Sequence, residues 1–493
     1  MRTDIYLGID MGSTGLKAVA FEAGSGAALA SSGVALPFRS LPHGGCELDA
    51  PAIHAALFNA LRGVAGQLGP RLREVRAIGC TGHGAGLYAL GTDGQLVGGH
   101  AVASTDQRAC LRARALAVRD GAALLAEVGC CPWPGQPTLI AAEMFTAQPW
   151  RRQATSRLLF AKDYLAYLLT GAIATDASDA STAGLLSLAT GTWSSAAFEA
   201  VGLDAGAFEL PPIVPSGTAI GTLTRAAAQE CGLPAGLPVA IGAIDLLASL
   251  KAVGADERGQ AVAVFGTWCV NAVVGPVIEP LPTVGAVVHF GSAEQRLYLE
   301  NTPSSMANIA WLARTLQFAS AAAVVDCAMS MPLGAAGLRF LPFINGGSAP
   351  PHAMAGFVGL RAHHDRAHMA RAVVDAVAAL HARHLGHLTS QGLGMPHQVA
   401  ALGGGARDER LVRLLASFLG HPVERCGDDE TGARGAALYA ALSQGAGGVI
   451  PASRSLVEPD TAASQAYADY LTGFDAMIDH IAPVFAQLAG AGR

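Results

Sequence analysis

The feature that most constrains this chain is a strand, a glycine-rich turn and a second strand, met once at the start and again past the midpoint. Ile5 to Asp10 reads as a β-strand, Gly12-Ser13-Thr14-Gly15 as a tight turn and Leu16 to Phe21 as the returning strand. Ala261 to Asn271 repeats the arrangement: an apolar run, the turn Gly266-Thr267, and a second apolar run. A hairpin used twice predicts an internal duplication and two backbone turns suited to a phosphate chain. A chain of 493 residues is also too long for one compact core. We therefore expect two lobes, residues 1–250 and 251–493, divided at the charged, glycine-rich link Gly254 to Gln260.

Between the hairpins the apolar periodicity switches between two and 3.6. Asp49 and Pro51 carry cap and first-turn signals for a helix whose buried stripe is Ile53, Leu57, Leu61, Val64 and Leu68. Val75 to Cys80 reads as a buried strand ending in the loop Thr81 to Gly86. Helical patterns follow at Leu111 to Leu125 and Lys162 to Thr170, with Pro132, Pro134 and Pro137 between them. From Leu237 the pattern is strand, Gly242-Ala243-Ile244-Asp245, then an apolar helix. Gln398 to Leu402 predicts a strand, and Leu411, Leu414, Leu415, Phe418 and Leu419 the stripe of a helix, with Gly403-Gly404-Gly405 between them. Strand ends of this kind carry ligands in open α/β sheets.

Composition removes several classes of function. Hydrophobic residues make up 51% and charged residues 14%, the signature of a packed globular protein. Mean hydropathy is +0.36, yet no uncharged apolar window of about 18 residues exists to span a membrane. Ala180 to Phe198 lacks charges but is rich in Ser, Thr and Gly, and reads as loop and short strand. Asp4 follows Arg2 too closely for a signal peptide, so we expect a cytoplasmic protein. A net charge of -6 without a basic block gives no footprint for nucleic acid. Nine scattered cysteines without paired CxxC units are expected as reduced, mostly buried thiols.

Several polar residues stand at strand ends. Asp10 is placed to hold a magnesium ion while backbone N–H groups bind phosphate, or it is an ordinary turn aspartate. Asp245, between strand and helix, is a helix cap or the general base that accepts a proton from an attacking sugar hydroxyl. Gly266-Thr267 offers a hydroxyl and flexible backbone to a γ-phosphate. The Gly403-Gly404-Gly405 run admits a nucleotide close to the backbone, or is a plain loop. It is neither a Walker A loop nor a dinucleotide fingerprint. His83, flanked by glycines, and Asp106 in Asp106-Gln107-Arg108 could partner sugar hydroxyls, although a loop histidine is more often merely solvated.

In this order the motifs resemble the FGGY family of carbohydrate kinases over nearly the whole chain. GIDMGSTGLKA resembles the family's first phosphate motif, which implies Asp10 for magnesium and Ser13, Thr14 and Lys17 near the phosphates. GAIDLLAS resembles the segment of the catalytic base, Asp245, which also touches substrate. VFGTWCV resembles the second phosphate motif with Gly266 and Thr267, and ALGGGARDERLVRLLASFLGHPV the adenosine segment with Gly403, Gly404 and Gly405. FAKDYLAYLLTG and Ala355 to Asp375 are similar to the two family signatures. The resemblance implies an α/β fold of two actin-like, ribonuclease H-like lobes around an ATP and sugar cleft, with ATP and Mg2+ as cofactors. It implies a small sugar as partner, with no nucleic acid or membrane; a homodimer stays open.

Within the family the chain resembles the xylulose kinases, particularly those acting on L-xylulose-like ketoses. D-xylulose kinases usually carry Gln-Met-His-Gly where this chain has Thr81-Gly82-His83-Gly84, and Trp where it has Ser104. A pentulose such as xylulose is the expected substrate, with His83 and Asp106 on its hydroxyls. The alternatives are a kinase of erythritol, glycerol or gluconate, an actin-like or chaperone-like ATPase acting on a protein partner, and a silent sensor. Against the last two stand the lack of a separate peptide-binding domain and the presence of both Asp10 and Asp245.

Overall fold

The computed structural model describes residues 4–491 except 13–14, 280, 282, 293, 348–349, 351, 428–429 and 447–451. The chain forms two compact units. The first comprises Met1–Asp256, Ala286–Arg296 and Glu430–Ala452, and the second Glu257–Gly285, Leu297–Asp429 and Ser453–Arg493.

In the first unit, β1 (Ile5–Met11) and β2 (Gly15–Glu22) form the expected antiparallel hairpin, continued by β3 (Ala28–Ala35). β4 (Val75–Gly82) lies parallel to β1. β5 (Thr218–Thr222) pairs antiparallel with β6 (Pro238–Ile241), which in turn lies parallel to β4. The strand order is β5-β6-β4-β1-β2-β3. Strand side chains alternate between two faces. Ile5, Leu7, Ile9 and Met11 of β1 join the core built with the helix Ala50–Leu68, whose Ile53, Leu57, Leu61, Val64 and Leu68 are all buried. Tyr6, on the opposite face, packs with Ala433, Ala437 and Ala440 of the helix Thr431–Ser443.

That second helix lies at backbone contact with the sheet. A methyl group at Gly8 of β1 would overlap the carbonyl oxygen of Ala433, and one at Gly79 of β4 that of Ala436. A methyl at Gly435 would overlap the carbonyl of Ala248 in the helix Asp245–Ala252. Glycine on the strands and Gly/Ala on the helix are therefore required by the distance between them, since any Cβ in these notches would push the layers apart.

The second unit repeats the pattern of strand directions. β7 (Gln260–Phe265) and β8 (Cys269–Pro276) form the second hairpin, with Phe265 opposite Cys269. β7 runs parallel to β9 (Gln398–Leu402), and β9 parallel to β10 (Val423–Cys426). β11 (Arg454–Val457) closes antiparallel on β10. Read outward from the hairpin, antiparallel, parallel, parallel and antiparallel pairings occur in both sheets, as a duplicated architecture requires. The helix Glu409–Leu419 buries Leu411, Leu414, Leu415 and Phe418, while Leu419 is half-buried.

The expectation of loop and short strand for Ala180 to Phe198 is corrected: short helices cover Ala177–Thr182 and Ser195–Glu199. Both are started by caps. Asp176 accepts from the N–H groups of Ser178 and Asp179, and Ser194 from that of Ala197, so capping outweighs a low helix propensity. All nine cysteines are free, five of them buried. No helix among the described residues is long and apolar enough to cross a membrane.

The notches generate a test. Gly8→Ala should lower stability by about 1–3 kcal/mol, the usual cost of overpacking. Gly66→Ala, in the exposed face of the helix Ala50–Leu68 with nothing within 4 Å of the added methyl, should raise stability by about 0.5–1 kcal/mol. Chemical denaturation of the two variants checks both signs.

Candidate active site

In the first unit the parallel strands β1, β4 and β6 end side by side. Asp10 is in register with Lys17 on β2 and with Thr81 on β4, and Cys80 on β4 with Ile241 on β6. The residues just past these ends are thereby gathered at the carboxyl edge of the sheet, where open α/β folds bind ligands. The His83 N–H donates to the Met11 carbonyl at 2.9 Å, and the Gly242 N–H to that of Cys80 at 2.9 Å. Thr81 Oγ1 donates to the Ala243 carbonyl at 2.5 Å. Asp10, His83 and Asp245, more than 230 positions apart at their extremes, are brought together by this edge.

Asp10 points from the same face of β1 as Tyr6 and Gly8, so its carboxylate meets the start of the helix Thr431–Ser443. A methyl at Gly432 would overlap Asp10 Oδ2. Its Oδ1 is buried and has no hydrogen-bond partner among the described residues. Burial, then the charges of Asp245 and Glu430, push the Asp10 carboxyl up to about 7, with Lys17 opposing. Lys17 is held by Glu430 at 2.8 Å. Glu430 and Gly432 are absent from the residues expected from sequence; the acidic run before an alanine-rich helix was the available signal. Ser13 and Thr14 lie outside the described residues.

Asp245 is the first residue of its helix, with Ile244 in the cap position, so the simple capping role does not apply. Its Oδ1 accepts the Leu246 N–H at 2.7 Å. Burial raises its carboxyl to about 6, against the lowering effect of that hydrogen bond. A carboxylate at this value is ionised at neutral pH and more basic than a solvated one.

His83 is buried rather than solvated, 3.2 Å from Tyr88 Oη, and burial lowers its imidazole to about 4, so the ring is neutral. Asp106 is fully buried with both oxygens engaged: it accepts from the backbone N–H groups of Cys46 and Arg108 and from the Arg108 guanidinium. The Ser104 backbone packs against Gly135, where a methyl would overlap its carbonyl oxygen and the Trp133 indole. Trp133, half-buried, thus stands beside the Ser104 segment, an aromatic that sequence reading missed among three prolines.

The second unit assembles its own glycine surface. The Gly266 and Thr267 carbonyls accept from Met306 and Ser305 N–H groups at 3.0 and 2.9 Å, which fixes the turn between β7 and β8. Gly403, at φ +85°, lies so close that a Cβ would be 2.9 Å from the Phe265 carbonyl oxygen and 3.3 Å from the Gly266 nitrogen. Thr267, Gly403 and Gly404 are exposed, while Gly405 is buried against Met306 and Phe265. The turn and the glycine run, far apart in sequence, form one continuous stretch of accessible backbone.

Buried carboxylates stand at the strand ends of the first unit, and a glycine-lined turn stands at those of the second. Residues 5–252 match the N-terminal domain and residues 261–444 the C-terminal domain of the FGGY family of carbohydrate kinases. The chain belongs to this family, is a carbohydrate kinase and has its actin-like fold, and the family's ATP dependence makes ATP a substrate. It is 27% identical to the L-xylulose/3-keto-L-gulonate kinase of Escherichia coli (strain K12), over 90% of this chain and 89% of that one. It is 28% identical to the erythritol kinase of Brucella abortus (strain 2308), over 99% and 98%. The crystal structure of xylulose kinase from Rhodospirillum rubrum superposes with a TM-score of 0.89 at 25% identity, covering 98% of this chain and 100% of that one.

The raised Asp10 carboxyl has a measurable consequence. An unfolded Asp10 titrates near 4, so between pH 4 and about 7 the folded state binds the extra proton, and stability is lost as pH rises through that window. Asp10→Asn removes the loss. Asp10 keeps partial contact with solvent, so the variant without ligand should be more stable than the parent by about 1–2 kcal/mol at pH 8 and no more stable at pH 4. Denaturant titrations at the two pH values check this.

Proposed function

We propose that this kinase phosphorylates a five-carbon ketose, with L-xylulose or another stereoisomer turned over at least as well as D-xylulose. Asp245 is the general base and magnesium-ATP the donor. The observation that carries the assignment is Asp245 itself, at the carboxyl edge of the first sheet with its carboxyl raised to about 6. The ketose hydroxyl donates its proton to the Asp245 carboxylate as its oxygen bonds to the γ-phosphorus, and the bond to the ADP oxygen breaks. The products are ADP and a sugar phosphate, with the proton on Asp245 released to solvent.

Asp10 fits a magnesium ion. Its buried Oδ1 has no hydrogen-bond partner among the described residues, and burial beside Asp245 and Glu430 raises its carboxyl, a setting that a divalent cation would neutralise. One or two carboxylates with substrate phosphate oxygens are the usual protein share of a magnesium shell. When bound, magnesium would neutralise charge on the β- and γ-phosphates. Ser13, Thr14 and Lys17 are assigned to the phosphates, and Gly266, Thr267 and Gly403 to Gly405 to the nucleotide, whose backbone approach the bare glycines permit. The neutral His83 ring offers a ketose hydroxyl one donor or acceptor. Asp106, its oxygens already engaged, serves the sugar by holding the Arg108 loop.

The ketose is favoured by the 27% identity to the L-xylulose/3-keto-L-gulonate kinase and by Ser104, a small polar residue where a Trp would narrow the pocket. A second reading, a polyol acceptor, is favoured by the 28% identity to an erythritol kinase over 99% of the chain.

Asp245→Asn should keep its fold and ATP affinity and lose about 10²- to 10⁴-fold in kcat, the contribution of a positioned base; steady-state ADP release measures it, and unchanged turnover would remove Asp245 from that role. For the substrate, kcat/KM is compared for D-xylulose, L-xylulose, ribulose, erythritol, glycerol and gluconate. A ketopentose should lead, and His83→Ala should raise its KM without moving that of ATP. A lead of about a hundredfold for D-xylulose would defeat the argument from Ser104, and a lead for erythritol, glycerol or gluconate would defeat the ketose assignment.

A further inference from the structure

The first unit contains a buried charge cluster that the proposed reaction does not use. Lys162 Nζ lies 2.6 Å from Asp163 Oδ1, 3.0 Å from Asp176 Oδ1 and 3.4 Å from Asp179 Oδ2, and donates to Thr175 Oγ1 at 3.3 Å. Lys162, Asp176 and Asp179 are 0% exposed and Asp163 1%. Removing one ammonium and three carboxyl groups from water carries a large desolvation penalty for each ion, and a well-packed apolar set of similar volume is often as stable or more so. The cluster therefore calls for a use beyond stability.

Its geometry supplies one. Asp176 caps the helix Ala177–Thr182 and also accepts from Ser216 Oγ at 2.7 Å, so the helix is anchored at its start. Two bonds leave this anchored helix for the acceptor site. Asp179 Oδ1 accepts the N–H of Ala85 at 3.1 Å, two residues past His83. Ser178 Oγ accepts the N–H of Ile244 at 3.1 Å, one residue before Asp245. Ala85 has φ +59°, a left-handed conformation that strains an alanine and must be held from outside. Thr182 completes the contact, since a methyl at Gly84 would lie 3.0 Å from its Cγ2.

We propose that the Lys162–Asp163–Asp176–Asp179 cluster, with Ser178, is a positioning device that sets the His83 loop and the Asp245 turn relative to each other. It acts through Asp179 on sugar binding and through Ser178 on the base. The inference rests on the roles given above to His83 and Asp245. Misplacing a reacting group by about 1 Å can cost about a hundredfold in rate, so loss of one such bond is expected to cost about tenfold.

Ser178→Ala should lower kcat about tenfold with the ketose KM nearly unchanged, and Ser178→Thr, which keeps the hydroxyl, should restore it. Asp179→Asn, whose amide cannot both accept from Ala85 and face Lys162 without a donor clash, should raise the ketose KM about tenfold and leave the ATP KM unmoved. If Ser178→Ala and Asp179→Asn melt earlier but keep parental kcat and KM, the cluster is packing and the proposal is overturned. The Ser178 pair decides alone should Asp179→Asn not fold. Asp245→Asn and His83→Ala run alongside: parental kinetics in those two would defeat the underlying roles, whereas defects there with parental kinetics in the Ser178 and Asp179 variants would defeat the positioning device alone.

Discussion

The constraint on which the first unit depends is the seating of the helix Thr431–Ser443 against bare backbone. Gly8 and Gly79 open notches in β1 and β4, and the Ala433 and Ala436 carbonyls occupy them. This close approach fixes the helix in position and rotation, because only glycine or alanine faces meet without a gap or overlap. The same geometry then sets the site. One alternation along β1 from Gly8 is Asp10, and one step before Ala433 is Gly432, so the carboxylate comes to the start of the helix. Glu430 arrives with it and holds Lys17 at 2.8 Å.

What results is a set of carboxylates kept in an environment that water would not choose. Asp10 and Asp245 are both raised above the ordinary carboxylate range, chiefly by burial. A folded chain without ligand bears that cost at neutral pH. Strain of this kind is expected where stability gives way to function. The Lys162 cluster belongs to the same economy of buried charge, though there the ammonium is supplied by the protein itself.

Much of the fold was legible because its signals are local. Both hairpins, the helix Ala50–Leu68 and its buried stripe, and the strands at Val75 and Gln398 follow from periodicity and turn residues in short windows. Ala177–Thr182 was missed because a low-propensity stretch is made helical by its cap at Asp176, a preference that periodicity does not register. A loop histidine such as His83 is more often solvated, and its burial could not be read from a loop of glycines. Asp106 was read as a sugar ligand, but the sequence gives no sign that Arg108 and the Cys46 backbone already engage it.

By itself the sequence determined the elements, their duplication and the family, since each rests on residues adjacent in the chain. It also marked Asp10, Asp245 and the glycine turns as candidates, because strand ends and missing side chains are visible in a string. Only the tertiary structure decided which candidates meet. Parallel pairing of β1, β4 and β6 brings Asp10, His83 and Asp245 to one edge, and the pairing of β7 with β9 brings Gly266 to Gly403. The return of residues 430–452 to the first unit, and with it the partner of Lys17, is a contact across more than 400 positions. The physical reason is that hydrogen-bonded register and burial are properties of neighbours in space. The local pattern dictates what a segment becomes, and packing alone dictates what it touches.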